Sequence, residues 1–232
     1  MWRKQLSDDV AFDDGAGRGG VVEFVVEETR QAINSGRLAM GQRLVEADLT
    51  RQLGVSRSSV REALRRLSAE GLIDIVPHRG AAVRRFTRKE VADRYQIRIP
   101  IEALAAEFAA RRIREGDNEA RFLKAMRLLP EEEALGPVEG YRVANLRFHR
   151  IIASLSGNPQ LATFIEQLWV PSANTSARDA LGLTRWTESI REHERIGEAI
   201  LRGDTAEAAT AMRDHLCRGC ERFLSAPEGV FG

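Results

Sequence analysis

The sequence predicts a mainly α chain in two parts: a small N-terminal unit of helices closed by a β-hairpin, then a larger all-α bundle. Three observations carry this. Apolar residues recur at three- to four-residue spacing between Val21 and Ser35 and again after Arg57. Strand-forming runs are confined to 72–86, on either side of Pro77-His78-Arg79-Gly80. From Thr87 onward the pattern is helical, with no strand signal. At 232 residues, 43% hydrophobic and 30% charged, the chain can bury an ordinary core. It lies near the upper limit for one domain, so two are expected.

The first helix is expected over Val21 to Ser35, with Val22, Val25, Val26, Thr29 and Ile33 facing inward and Gly36 ending it. A short helix from Glu46 to Leu53, the turn Gly54-Val55-Ser56 and a third helix from Arg57 to about Glu70 follow, the last with Val60, Leu64 and Leu67 inside. That is the spacing of a helix-turn-helix. Leu72 to Val76 and Ala81 to Phe86 then pair as a hairpin, with Gly80 supplying the positive φ of its turn. Such a hairpin is the wing of a winged helix. Beyond it helices are read at roughly 87–114, 117–129, 138–156, 159–181, 186–202 and 204–224, an α-helical bundle. The breaks fall at Gly116, Pro130 to Pro137, Gly157-Asn158-Pro159 and Gly203-Asp204. The expected domains are a disordered tail over 1–20, a winged helix-turn-helix DNA-binding domain over 21–86 and the helical bundle over 87–226.

Charge excludes several classes. Lys plus Arg number 35 against 34 Asp plus Glu, a formal +1, which fits neither a polybasic protein nor an acidic disordered one. No apolar run approaches the roughly 18 residues of a membrane span. Asp8, Asp9, Asp13 and Asp14 stand where a signal peptide would be apolar. A soluble, cytoplasmic protein with no membrane partner is expected. Cys217 and Cys220, three apart on one expected helix, form no disulfide framework and read as packing thiols. Within 51–85, however, Arg51, Arg57, Arg61, Arg65, Arg66, Arg79, Arg84 and Arg85 face only Glu62, Glu70 and Asp74. Arginine without lysine suits bidentate contacts to phosphate or guanine. The plain alternative is a solvated helix face. Ser56 is a good N-cap, so Arg57, Ser58 and Ser59 occupy the first turn of the third helix, the part of such a motif that enters the major groove. Arg57 and Arg61, four apart, share a face.

The run AINSGRLAMGQRLVEADLTRQLGVSRSSVREALRRLSAEGLIDIVPHRGAAV resembles the DNA-binding domain of GntR-type transcription regulators, without a gap. The resemblance implies a double-stranded DNA operator as partner. Arg57 and Arg61 would meet bases or phosphates, Ser58 and Ser59 the DNA backbone, the Gly80 turn the minor groove, and Arg65, Arg66 and Arg79 phosphates. Ala47 stands where some relatives carry Arg, so one base contact used in parts of the family is not expected here.

In the second half His149, His193 and His215 fall on three different expected helices, and Asn145 precedes His149 by one turn on the same face. An antiparallel helix pair turning at Gly203-Asp204 would bring His193 and His215 level. Geometry alone thus permits a three-histidine site. These segments also resemble the FCD domain of the FadR-like branch of the GntR family, through RIPIEALAAEFAARR, through N-x-x-x-H with the GN after it, and through H-x-x-I-x-x-A-I-x-x-G-D-x-x-x-A with a final His. The resemblance implies a divalent metal ion on His149, His193 and His215, with Asn145 as fourth ligand where the family usually has Asp. An amide oxygen coordinates without charge, so weaker binding is expected. Zinc or nickel suits three imidazoles. Arg98, four before Glu102, matches an Arg-x-x-x-Glu position that faces the effector cavity, which implies a small carboxylate effector bridging guanidinium and metal. An intrahelical Arg98–Glu102 pair is the competing reading. The expectation is a metabolite-responsive, homodimeric regulator, a repressor on a palindromic operator, of the six-helix VanR-like subgroup. The alternative function is a metal-dependent hydrolase built on the three histidines. It lacks G-x-S-x-G, a P-loop, H-E-x-x-H and a general base beside the ligands.

Overall fold

The computed structural model describes residues 18–76, 80–127, 137–169 and 178–232. The chain divides into two compact units, one ending at Arg85 and one spanning Phe86–Phe231. The expected tail over 1–20 falls largely outside the described residues, as do His78 and Arg79 at the hairpin turn.

In the first unit α1 (Arg18–Asn34) lays Val22, Val25, Val26, Thr29 and Ile33 into the core, the face that its periodicity predicts. α2 (Glu46–Leu53) contributes Leu49 and Leu53, and α3 (Arg57–Ala69) contributes Val60, Ala63, Leu64 and Leu67. Gly54 joins them in the left-handed conformation, φ 69°, which a side chain would strain. Ser56 caps α3 by accepting the backbone N–H of Ser59 at 3.1 Å. Arg30 of α1 clasps Glu70, just past α3, through Nη2 at 2.8 Å. The hairpin is β2 (Ile73–Val76) with β3 (Gly80–Val83), Ile73 opposite Val83 and Val76 opposite Gly80, whose φ is 86°. One strand was not expected: β1 (Arg43–Leu44) adds to the other edge of β3, giving the order β1-β3-β2. Two residues are too few to show a period of two, so only the pairing defines this strand.

The second unit is all helical. α4 (Arg88–Arg112) opens with a capping box in which Thr87 and Glu90 satisfy each other's backbone N–H. Its inner face carries Ala103, Ala105, Ala106, Ala109 and Ala110. These small side chains let α9 (Thr205–Leu224) pack along it. Between them lie α5 (Asn118–Met126), α6 (Pro137–Leu155), α7 (Pro159–Leu168) and α8 (Arg178–Arg202). Phe122, Ile113, Ile152, Leu155, Ile196, Ile200 and Met212 fill the core. Asn158 caps α7, with Pro159 in the first turn, and Asp204 caps α9 after Gly203. The expected helix over 159–181 is corrected: α7 stops at Leu168, and 178–181 belong to α8, which begins earlier than residue 186. Trp169 already has an extended ψ of 129°. Pro171, two positions on, disfavours helix at the residue before it.

Candidate DNA-reading helix and three-histidine centre

On α3, Arg57, Ser58, Arg61, Arg65 and Arg66 are exposed, while Ser59 is 6% exposed. The hydroxyl of Ser59 meets that of Ser56 at 2.9 Å. Ser59 therefore belongs to the capped first turn of α3, with its hydroxyl held on Ser56. Arg61 pairs with Glu46 of α2 through Nε at 2.8 Å. Arg66 reaches Glu23 at 3.4 Å and Glu62 at 3.6 Å, and Arg65 reaches Glu62 at 3.8 Å. Such exposed pairs contribute little and open readily for a phosphate. The row is thus a set of cations on one solvated face, with Gly80 at the start of β3 in the wing.

Three helices of the second unit converge on one point. His149 sits on α6, His193 on α8 and His215 on α9, all buried. The Nε2 atoms of His193 and His215 lie 3.3 Å apart, as do those of His215 and His149. Ligand atoms on a tetrahedral ion with bonds of about 2.1 Å stand about 3.4 Å from each other, so the two 3.3 Å separations match two edges of such a coordination shell, and all three ligand atoms lie within 4.8 Å of one another. Burial pushes the imidazole of His193 well below its usual range, the two neighbouring histidines adding to this. Burial likewise pushes His215 down to about 4, although its hydrogen bond to Glu192 opposes the shift. Neutral imidazole is the form that binds metal. The donor set therefore fits a divalent ion. Asn145 is partly buried, one turn before His149 on α6.

Two carboxylates that sequence reasoning did not assign to the site stand behind the rings. Glu102 of α4 accepts from His149 Nδ1 at 2.6 Å, and Glu192 of α8 accepts from His215 Nδ1 at 2.7 Å. Each also holds arginine. Glu102 Oε1 takes Arg98 Nη2 at 2.6 Å, a pair buried to within 3% of full enclosure. Glu192 takes Arg218 Nε at 2.6 Å and both terminal nitrogens of Arg222 at 3.0 and 2.9 Å. Burial works to raise the Glu102 pKa, but Arg98 and His149 outweigh it and hold it at about 2. Glu192 is likewise pushed down, its bonds to His215 and Arg222 overcoming burial. Arg98 thus forms the intrahelical pair and remains in the bundle, its guanidinium between Trp169 at 4.6 Å and Tyr95 at 5.1 Å from the ring centres. Phe148 stacks on His193 at 4.3 Å, and Trp169 meets His149 edge-on at 5.5 Å. Glu192 was concealed by its type: an acid on a helix reads as surface unless its register across the hairpin is known.

Residues 93–218 match the FCD domain family, and residues 21–83 match the family described as bacterial regulatory proteins, gntR family. The chain belongs to the GntR family and carries an FCD domain. Among GntR relatives it is 29% identical over 199 residues to the uncharacterized HTH-type transcriptional regulator YdhC of Bacillus subtilis, covering 84% of this chain and 88% of that one. It is 28% identical over 215 residues to the HTH-type transcriptional repressor NanR of Cronobacter sakazakii, covering 84% and 82%. The structure of McbR/YncC of E. coli shares the fold, with a TM-score of 0.77 at 22% identity over 88% of this chain and 96% of the other. The chain is a GntR-type transcriptional regulator, and its α3 is the helix of a DNA-binding domain. Nothing in these relationships supports the hydrolase. No helix among the described residues is long and apolar enough to cross a membrane.

Proposed function

We propose that this protein is a metal-dependent, metabolite-responsive repressor that binds a palindromic operator as a homodimer. The observation that carries the sensing half is the convergence of three buried histidines, with His215 Nε2 at tetrahedral edge length from the Nε2 atoms of both His193 and His149. His149, His193 and His215 would hold zinc or nickel, with Asn145 as the neutral fourth ligand. Bound there, the ion would supply a Lewis-acidic centre for an anionic ligand. A small carboxylate is the effector, and Arg98, whose guanidinium has donors beyond those given to Glu102, is its second anchor. Repression follows the sign of relatives such as NanR.

The homodimer is supported by α4. Its inner face packs on α9 and also on α6, α7 and α8, yet Ile97 is 49% and Leu104 38% exposed, with Ile101 and Phe108 half-buried on the same stripe. A helix apolar on both sides needs a second partner, and another copy of the chain supplies a matching stripe. Two copies present two α3 helices to two half-sites. In the DNA half, Arg57 and Arg61 meet bases or phosphates, Ser58 and Ser59 the DNA backbone, Arg65, Arg66 and Arg79 hold phosphates, and the Gly80 wing lies near the minor groove. The protein would act in the cytoplasm, where its operator is.

Footprinting on DNA selected by the purified protein, together with elemental analysis, tests the reading. The expected result is a two-fold symmetric footprint and about one divalent ion per chain, lost in His193→Ala and in His215→Ala. An asymmetric single-site footprint would refute the dimer on DNA. Metal retained in both variants would refute the centre.

A further inference from the structure

The same three-part device occurs twice around the histidines, built from different helices. Arg98 and Glu102 of α4 stand behind His149 of α6, while Arg222 and Arg218 of α9 and Glu192 of α8 stand behind His215 of α9. In each, one carboxylate oxygen takes an imidazole Nδ1 and the other a guanidinium, and in Glu192 the first oxygen also takes Arg222 Nη2. A carboxylate held ionised by arginine only accepts hydrogen bonds, so the ring nitrogen facing it must carry the proton. In a neutral imidazole the other nitrogen, Nε2, then carries the lone pair.

We infer that Glu102 and Glu192 are positioning residues that lock His149 and His215 in the Nδ1–H tautomer, so that their Nε2 lone pairs face the metal position before any ion arrives. The inference rests on the proposed metal centre. With both Nδ1 atoms donating outward, neither Nε2 carries a proton, and the 3.3 Å approach of His149 Nε2 and His215 Nε2 sets two lone pairs against each other, a repulsion that a common cation would relieve. The arginines take part by keeping the acids ionised and turned toward the rings. Arg98 therefore serves the metal site through Glu102, whatever it also does for an effector. The arrangement is asymmetric in its mechanics. The Glu102 device is enclosed, whereas Arg218 at the far end of the Glu192 device is 46% exposed, so its cation can turn to water.

The test uses the full-length chain freed of metal by a chelator, with nitrogen-detected NMR of ¹⁵N-labelled histidine at neutral pH, then Zn²⁺ titration against a chromophoric competitor. Wild type is expected to show His149 and His215 as Nδ1–H tautomers. Glu192→Gln should move His215 alone into a tautomer mixture and weaken Zn²⁺ binding about 10- to 100-fold, the usual cost of losing such a partner. Glu102→Gln should do the same to His149, and Glu192→Asp should recover part of the loss. Glu102→Gln leaves a buried guanidinium without its acid and can unfold the bundle, so the Glu192 variants, whose arginines reach solvent, decide the question. An unchanged His215 tautomer in Glu192→Gln, or Zn²⁺ affinity within twofold of wild type, would overturn the inference. Failure of the wild type to bind Zn²⁺ while the NMR signature holds would instead reject the metal centre and leave the tautomer lock standing.

Discussion

Among the exposed cations of α3, Arg57 and Arg61 differ in what they must give up to reach DNA. Arg61 leaves Glu46, while Arg57 has no ion pair among the described residues and stands in the first turn after the cap. Arg57→Ala is expected to cost about 1 to 3 kcal/mol of operator binding, the loss of a bidentate base contact. Fluorescence anisotropy at one fixed salt concentration measures it, and an affinity equal to wild type would move the reading register off Arg57. At this scale the sequence was informative where residue type is informative. Histidine and arginine declare their chemistry by name, and Asn145 declares a departure by standing where the resemblance implies Asp. Glu192 does not declare itself. Its role arises from a register across two helices that no local spacing encodes, and the burial of Ser59 likewise depends on how α3 lies on its neighbours.

Elements were legible where local chemistry sets them. The bounds of α2, α3, α6 and α9 follow Gly54, Ser56, Pro137 and Asp204, each a turn or cap signal in the chain itself. Ser56 bears the cap of the DNA-reading helix alone, so Ser56→Ala should lower stability by about 1 kcal/mol in urea unfolding. A change within a few tenths would mean that Ser59 or water replaces the cap. Elements were illegible where their definition is not local. β1 exists because β3 offers it an edge, and the end of α7 was overrun because an apolar helical pattern continues past Leu168 up to Pro171. Periodicity reports which face is buried, and it says little about where hydrogen bonding stops.

At the scale of the molecule, the apolar stripe of α4 and the proposed metal centre make separate claims on stability. Leu104→Asp puts a charge in the middle of the stripe and should shift the chain from dimer to monomer in analytical ultracentrifugation, with its helical circular dichroism retained. A dimer that persists would assign the stripe to another use. Metal acts through linkage: an ion that binds only the folded chain adds about 2.7 kcal/mol at a free concentration one hundred times its Kd. Excess Zn²⁺ should therefore raise the melting temperature of wild type and leave His215→Ala unmoved. The sequence could indicate that a bundle exists and which residues are fit to sense. It could not indicate that α4 is apolar on two sides, because that requires knowing which side α9 occupies.

Trp169 meets the edge of His149 and lies under the guanidinium of Arg98. Indole emission is sensitive to nearby charge and is quenched by open-shell ions. Its position therefore makes the bundle an optical instrument directed at its own centre: nickel or cobalt arriving at the histidines would dim it, closed-shell zinc would shift its colour, and Trp169→Phe would remove its share of both signals.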